Sequence, residues 1–279
     1  MTSRLIVWAF CLFAVLTATA VGAEPPKPKD GPLGMKFVPL PKGTFYMGWS
    51  GAKGTAKKTE IKEDFEIAIH TVTQGQWQAV IGKNPSWFSR QGMGKNKVKD
   101  ITDEELKQFP VENVSWDDCQ DFIKKLNEQE KVKGYVYRLP STVEWEYACR
   151  GGANTEEECS YHFFFAKPTN DLSSNEANFN GNQPFGKGKK GLYLERTTKV
   201  GSYVSNPLGL YDMHGNVWQL CSDLYNPKDP ASDRVIRGGG WSSLGPFCLA
   251  ADRNGIPSSL RASNVGLRLA RVPSTPAGK

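Results

Sequence analysis

Four helix starts are predicted along this chain, and hydrophobic residues follow three of them, whereas the segment after Thr102 is short and polar. At each start, a hydroxyl residue is followed three positions later by an acid or amide that can bond back to its backbone. The four predicted starts are Thr73 with Gln76, Thr102 with Glu105, Ser115 with Asp118, and Ser141 with Glu144. The third has the clearest apolar face, because Cys119, Phe122, Ile123 and Leu126 recur at helical spacing.

Alternating hydrophobic and polar residues predict short strands around these helices. Residues 36–47 alternate about Gly43, and we expect a hairpin there, while residues 60–69 predict one further strand. Shorter strands are predicted at 135–137, 235–236 and 267–269. Residues 173–207 show little periodicity, so the predicted class is α+β, irregular and rich in coil.

The two ends of the chain differ in composition from the rest. Arg4 precedes an apolar run over residues 5–16, and small residues follow as far as Ala23. This pattern predicts a cleaved signal peptide at 1–23, with an uncleaved N-terminal anchor as the alternative. We expect a flexible Pro- and Lys-rich linker at 24–33, one domain over 34–272 and a flexible tail at 273–279. The mature chain is then secreted or periplasmic, without a membrane span.

Charge and cysteine content narrow the possible partners. The formal net charge is +6, and the lysines are scattered through Gly-rich or polar stretches. No nucleic-acid motif accompanies them, so nucleic-acid binding is not expected, whereas a weak attraction to acidic glycans stays open. Five cysteines follow the predicted signal peptide; in an oxidising compartment some should pair, and the odd number leaves at least one unpaired. The partners of Cys119, Cys159 and Cys221 are not assigned.

Seven motifs occur in one order over residues 34–271. They are GTFYMG at 43–48, VTQGQW at 72–77, PVENVSWDD at 110–118, RLPSTVEWEYA at 138–148, GLYDMHGNVW at 209–218, RVIRGGGW at 234–241 and NVGLR at 264–268. Together they resemble the formylglycine-generating-enzyme, or sulfatase-modifying-factor, family. The resemblance implies that family's irregular α+β fold, which is similar to the fold of C-type lectins.

The resemblance also implies a chemistry from which this chain departs. Members of the family oxidise a sulfatase cysteine to formylglycine with molecular oxygen and copper held by two cysteines. Counted on from Trp241, the two cysteine positions fall on Ser243 and Cys248. Counted back from the 264–268 motif, the segment is about three residues too short for this match. Cys248 then corresponds to a structural cysteine of the same region or to no family cysteine. One thiol with no nearby histidine cannot form a two-sulfur Cu(I) site, so copper is not expected.

Three further sets of residues follow from the resemblance alone. A substrate groove is implied at Trp218, Leu220, Gly240 and Trp241, where Leu220 and Gly240 replace the family's Trp and Ser. Structural calcium is implied at Asn178, Gly215, Val217 and Gln219. Gln219 stands where the family has a carboxylate, and Glu195 or Asp212 could supply a carboxylate instead. Cys149 occupies a family disulfide position, and we expect a bridge to Cys248, with two buried thiols as the alternative.

Three hypotheses for function remain at this point. The favoured one is a secreted, non-catalytic binding or scaffold domain that has lost the copper oxidase site and binds an unknown protein or glycan ligand. The second is a formylglycine-generating oxidase that acts on sulfatases with copper and oxygen. The third is a different redox enzyme on the same fold, which lacks support because the chain has no His-rich metal motif.

Overall fold

The structure, a computed structural model, describes residues 26–130 and 134–274. The predicted signal peptide at 1–23 and residues 275–279 of the predicted tail lie outside the described residues. The helices are α1 (Gln74–Ile81), α2 (Asp103–Leu106), α3 (Trp116–Glu130) and α4 (Thr142–Cys149). In the part of the chain that is described, no helix is both long and apolar enough to cross a membrane.

All four predicted helix starts are confirmed. Thr73 before α1 and Ser141 before α4 each form a full capping box with the acid or amide three positions on. Thr102 caps α2 through its side chain, and Ser115 and Asp118 exchange two hydrogen bonds at the start of α3. These caps satisfy backbone N–H groups that would otherwise lack a partner in the first turn, which is why a local pattern locates them.

The strands form two main sheets and two hairpin-like pairs. The strands are β1 (Lys29–Asp30), β2 (Lys36–Leu40), β3 (Gly43–Met47), β4 (Lys57–Ile61), β5 (Phe65–Ala68), β6 (Tyr135–Arg138), β7 (Phe163–Phe164), β8 (Pro168–Thr169), β9 (Trp218–Leu224), β10 (Arg234–Arg237), β11 (Arg253–Ile256), β12 (Val265–Leu267) and β13 (Ala270–Pro273). The larger sheet has the order β1-β2-β5-β13-β6, and the smaller one has the order β11-β10-β9-β12. All pairs are antiparallel except β12 with β9.

The structure corrects three expectations about this region of the chain. The hairpin predicted at 36–47 is wrong, because β2 pairs with β1 and β5 while β3 pairs with β4. The single strand predicted at 60–69 is two strands, β4 and β5, in different sheets. The flexible linker predicted at 24–33 is wrong from Lys29 onward, where β1 pairs with β2. The Arg271 guanidinium also donates to the carbonyl of Asp30, so the domain includes this segment.

The helices and sheets enclose two large apolar clusters. One cluster lies where α1 and α3 meet β6, β9 and β12, and Trp77 of α1 stacks on Phe122 of α3 with ring centroids 4.8 Å apart. The other surrounds α4 and includes Trp145, which is fully buried. Burial of large apolar side chains supplies the main driving force for folding, about 1.5–3 kcal/mol for each.

A buried ion cluster joins α4 to the smaller sheet. The Glu146 carboxylate accepts from the Arg150 guanidinium at 2.6 Å and from the Arg237 guanidinium, and all three side chains are at most 1% exposed. Arg237 also donates to the carbonyls of residues 250–252. The backbone N–H of Gly48 donates to the same carboxylate at 2.7 Å. One carboxylate therefore connects three distant segments, and its removal would leave two buried cations without their counter-ion.

The long segment without helix or strand predicted at 173–207 is confirmed, since β8 ends at Thr169 and β9 begins at Trp218. The predicted α+β, coil-rich class is therefore confirmed. Side-chain amides order part of this segment: Asn216 accepts from the N–H of Thr198 at 3.0 Å and donates to its carbonyl at 3.2 Å. Asn178 donates to the carbonyl of Arg196 at 3.0 Å. Because both amides are buried, these hydrogen bonds hold the coil against the 209–218 motif.

Candidate functional site

The two positions that the count from Trp241 assigns to the copper-binding cysteines, Ser243 and Cys248, lie in one segment after β10. Ser243 carries a hydroxyl that accepts from the backbone N–H of Gly240 at 2.9 Å. The Cys248 side chain is fully buried in an apolar cluster with Phe163, Phe165, Leu172, Ala177 and Phe179. A Cβ atom added to Gly239 would lie 2.5 Å from the Cys248 sulfur, so the backbone at Gly239 covers that sulfur directly.

These donors do not fit a copper site. Burial raises the pKa of the Cys248 thiol well above its usual value, so the thiolate that binds Cu(I) is disfavoured. The other position offers only the Ser243 hydroxyl, a hard oxygen donor that Cu(I) does not prefer. Within the described ranges, no three His, Cys, Asp or Glu side chains are grouped as a metal site.

The predicted Cys149–Cys248 disulfide is not formed in the structure, where both residues are buried free thiols. The imidazole of His214 lies beside Cys149, with its Nε2 atom 3.6 Å from the Cys149 sulfur. Its Nδ1 atom is 2.7 Å from the carbonyl oxygen of Cys248, and its Nε2 atom accepts from the N–H of Phe164 at 2.9 Å. The structure thus agrees with the alternative of two buried thiols, and it corrects the expectation that no histidine is near.

The protonation states around His214 are those of a structural cluster. Burial lowers the pKa of His214 to about 4, so the imidazole is neutral at pH 7, with its Nδ1 hydrogen directed to the Cys248 carbonyl. Burial also raises the pKa of Cys149 to about 12. A neutral thiol beside a neutral imidazole is not an activated nucleophile, because reactive cysteines require a stabilised thiolate.

The predicted substrate groove is mostly buried. Trp218 and Leu220 lie in the apolar core, since residues two apart on β9 point to the same face of the sheet. Gly240 is buried too, with Asn264 and Trp218 so close that a Cβ would lie 2.9 Å from the Asn264 carbonyl oxygen. Of the four predicted groove residues, only Trp241 is partly exposed. An open groove lined by all four is therefore wrong.

The side-chain oxygen of Gln219, a predicted calcium ligand, already accepts two hydrogen bonds. Its side-chain oxygen accepts from the Trp145 indole at 2.9 Å and from the Arg268 guanidinium at 2.8 Å, while its NH₂ group donates to the Asp212 carbonyl at 2.7 Å. Burial lowers the pKa of Arg268 to about 10, so the guanidinium is still charged at pH 7.

This environment does not fit Ca²⁺ at Gln219. Calcium needs several oxygen ligands, and a buried guanidinium on the same oxygen would repel it. Asn178 and Gly215 lie together, since the Asn178 carbonyl accepts from the N–H of Asn216 at 2.7 Å and contacts Gly215. Val217 is fully buried beside them. Asn178 and Asn216 thus bond to each other, and Gln219 bonds to Trp145, Arg268 and Asp212, at the positions that the resemblance gave to calcium.

Trp241 is the centre of a partly exposed aromatic surface. Its indole donates to the carbonyl of Ser263 at 2.9 Å, and Phe88 packs edge-on against it with centroids 5.3 Å apart. On the other side, the ring of Tyr193 lies nearly parallel to Trp241, with centroids 6.2 Å apart and planes at 20°. Tyr193 was missed in the sequence, because it lies in the irregular segment where no periodic signal or motif marks it.

The loop that carries Phe88 rests on a buried, unpaired carboxylate. Glu112 is fully buried, and its two oxygens accept the backbone N–H groups of Trp87 at 3.1 Å and of Phe88 at 2.9 Å. Among the residues described, no cation is found beside it. Burial therefore prevails over the two hydrogen bonds and raises the pKa of Glu112 to about 8. A normally ionised side chain is thus mostly protonated at pH 7 beneath the aromatic surface.

The fold and this site define a class: coil-rich α+β domains that share the formylglycine-generating scaffold. In this chain, the positions that the resemblance gives to the two cysteines hold the Ser243 hydroxyl and the buried Cys248 sulfur. The family described as "Sulfatase-modifying factor enzyme 1-like domain" matches residues 23–273, and the chain belongs to this family.

Individual relatives include both an enzyme and a protein named as inactive. The chain is 32% identical to the formylglycine-generating enzyme of Mus musculus over 229 residues, which covers 75% of this chain but only 55% of that enzyme. It is 29% identical to inactive C-alpha-formylglycine-generating enzyme 2 of Bos taurus over 293 residues, covering 88% of this chain and 91% of that protein. The solved structure of Treponema denticola variable protein 1 matches with a TM-score of 0.64 at 23% identity, over 88% of this chain and 98% of that one, which supports the fold alone.

Proposed function

We propose that this chain is a non-catalytic member of its family, a binding or scaffold domain that keeps the fold and has lost the copper oxidase. The observation that carries the proposal is the pair of positions Ser243 and Cys248. The first has no sulfur, and the sulfur of the second is covered by Gly239 and surrounded by apolar side chains. Two thiolates that face one copper ion, as the oxidase requires, are not available from this pair.

Family membership does not decide between activity and its loss, because relatives of both descriptions match at similar identity. The donor set at Ser243 and Cys248 supports the loss of activity. The surface of Trp241 and Tyr193 supports a binding role, because partly exposed aromatic rings bury much area on contact with a ligand and keep few rotatable bonds. The ligand in this proposal is a protein or a glycan; sulfatases would be partners only of an active oxidase.

The proposal includes export from the cytoplasm. The signal-peptide pattern of residues 1–23 supports this part of the proposal, with the domain in the periplasm or outside the cell. It includes no calcium at Gln219, because that amide oxygen already serves the indole of Trp145 and the guanidinium of Arg268.

Copper binding and thiol reactivity test the proposal on a chain without residues 1–23. Anaerobic titration with Cu(I) is expected to show no tight stoichiometric site, and Ellman's reagent is expected to react slowly with the native protein. After unfolding, the five cysteines are expected to react. A Cys149–Cys248 disulfide would lower that count by two and would leave the proposal standing. One tightly bound copper with two thiols consumed would overturn it in favour of the oxidase.

A Ser243→Cys variant makes the test sharper, because it restores the second sulfur. We expect this variant to gain one thiol and still to bind no tight copper, since the Cys248 sulfur stays beneath Gly239. Ser242→Cys, on the neighbouring residue, is the matched control for a new thiol in the same loop. Tight copper binding by the Ser243→Cys variant alone would show that the sulfur of Cys248 is accessible and that the burial argument fails.

A further inference from the structure

A short loop of alternating glycine and lysine lies next to the aromatic surface. Residues 186–191 read Gly-Lys-Gly-Lys-Lys-Gly. Each glycine is pressed against the segment at 171–174: added Cβ atoms would lie 2.3 Å from the Asp171 carboxylate, 2.0 Å from the Leu172 carbonyl and 2.2 Å from the Ser174 hydroxyl. At Gly186 and Gly188 a Cβ would also meet backbone oxygens, of Asn170 at 2.6 Å and of Leu172 at 2.0 Å, so these two positions require glycine.

The backbone of this loop is held in place by hydrogen bonds. The N–H of Lys187 donates to the Asp171 carboxylate at 2.6 Å, and the N–H of Lys189 donates to the Ser173 hydroxyl at 3.1 Å. The N–H of Gly191 donates to the carbonyl of Gly181 at 2.9 Å. The lysines at 187, 189 and 190 are exposed. Within residues 26–130 and 134–274, none of the three pairs with a carboxylate.

The loop leads directly into the aromatic surface. Leu192, which follows it, is 67% exposed, and Tyr193 stacks on Trp241. The same region is joined to the Trp241 loop by two backbone hydrogen bonds, from residue 180 to the Ser243 carbonyl and from residue 245 to the 183 carbonyl, both at 2.9 Å. The nearby Glu195 carboxylate pairs with Lys97, so it does not neutralise the three lysines. A fixed positive strip therefore adjoins a pair of stacked rings.

We propose that residues 186–193 and Trp241 form a binding surface for an anionic polysaccharide. Carboxylate or sulfate groups along the polymer meet the three lysines, whose ammonium groups are point charges on flexible stems. The C–H faces of sugar rings pack on Tyr193 and Trp241, where the negative face of each aromatic ring attracts them. The inference rests on the proposed function, because it names the ligand class of that same surface.

Two observations favour a polysaccharide over the other anionic polymers. A polypeptide that binds by adding a strand needs a free sheet edge, and the segment from 173 to 207 contains no strand with which it could pair. Nucleic-acid phosphates are typically bound by arginine as well as lysine, and this loop has no arginine. The aromatic rings and the lysines lie side by side, which fits a polymer of sugar rings that carry carboxylate or sulfate groups.

The test measures dissociation constants for heparin and polygalacturonate, with neutral dextran, polyglutamate and oligo-dT as comparison probes. The variant Lys187→Ser/Lys189→Ser/Lys190→Ser is compared with Lys53→Ser/Lys57→Ser/Lys58→Ser, which removes three exposed lysines elsewhere and keeps the same net charge. We expect the loop variant to weaken binding of at least one polysaccharide by about tenfold at moderate salt and the control variant to weaken it less than about twofold. Tyr193→Ala is expected to weaken binding without changing its salt dependence.

The outcomes separate this inference from the proposed function. Equal losses in the two triple variants would reveal general charge attraction and would overturn the inference. So would undiminished polysaccharide binding by the loop variant, or equal binding of polyglutamate or oligo-dT with the same dependence on the lysines and Tyr193. In each of these cases the non-catalytic proposal would still be decided by the copper titration. Tight copper with intact polysaccharide binding would overturn the proposed function alone.

Discussion

Replacing Glu112 with Gln should remove a pH dependence of stability that arises beneath the aromatic surface. Burial raises the pKa of this carboxyl from 4.5 to about 8, so the folded protein keeps a proton that the unfolded chain releases above pH 4.5. Folding is therefore favoured at low pH, and stability falls as the pH rises towards 8. For these two pKa values, the free energy of unfolding decreases by about 2–3 kcal/mol between pH 6 and pH 9. The decrease then levels off, because Glu112 is ionised in both states.

The assay is urea unfolding followed by tryptophan fluorescence at pH 6, 7, 8 and 9, for wild type and Glu112→Gln. Glutamine has one acceptor oxygen where the carboxyl has two, so the variant loses a hydrogen bond from Trp87 or Phe88 and should be about 1–3 kcal/mol less stable than wild type at pH 6. Glutamine does not titrate, so the variant lacks the further decrease that wild type shows towards pH 9. The difference between the two proteins should therefore shrink as the pH rises. Glu128→Gln, at an exposed position on α3, is the control and should follow wild type. A constant difference between wild type and Glu112→Gln over the whole range would refute the reasoning.

Three further predictions concern stability and use the same unfolding assay. Gln219→Leu should lower the free energy of unfolding by about 3 kcal/mol or more, because two buried donors and one carbonyl lose their partner. The control Gln78→Leu, on the exposed face of α1, should change it by less than about 0.5 kcal/mol. A stabilisation by added Ca²⁺ that disappears in the Gln219 variant would contradict the hydrogen-bond assignment. Glu146→Ala should cost about 3–5 kcal/mol, since two buried arginines lose their counter-ion, and a loss below about 1 kcal/mol would argue against that cluster. Thr73→Ala should cost about 1 kcal/mol through the α1 cap, and Thr73→Ser should retain most of the stability.

The helices of this fold could be predicted from the sequence because their signals are local. A capping residue and the acid or amide three positions on lie within one turn, so the start of α1 at Thr73 or of α4 at Ser141 depends little on the rest of the chain. Strand pairing is different. Residues 36–47 and 60–69 have the right alternation, but their partners depend on distant segments: β2 pairs with β5, and β3 pairs with β4. Alternation alone therefore predicted strands and misassigned their neighbours.

The sequence predicted where the candidate site lies along the chain, but it did not predict which of its side chains are buried. Motif spacing located Trp241, Ser243 and Cys248 in one loop, but whether a sulfur faces solvent depends on the backbone of Gly239 folding over it. Tyr193 could not be found, because contact with Trp241 depends on the path of an irregular segment. Similarly, the sequence indicated Gln219 as a calcium ligand of lower charge, because it does not reveal that the Arg268 guanidinium bonds to the same amide oxygen.

The position of β13 in the larger sheet has a consequence for how the chain is made. This strand, residues 270–273, lies between β5 and β6, and the Arg271 guanidinium reaches back 205 residues to the Glu66 carboxylate. During translation, β5 and β6 therefore emerge long before the strand that joins them, and each keeps an unpaired edge until then. Exposed edges invite pairing with other chains, so a chaperone that shields these two edges would act in the interval before residues 270–273 leave the ribosome.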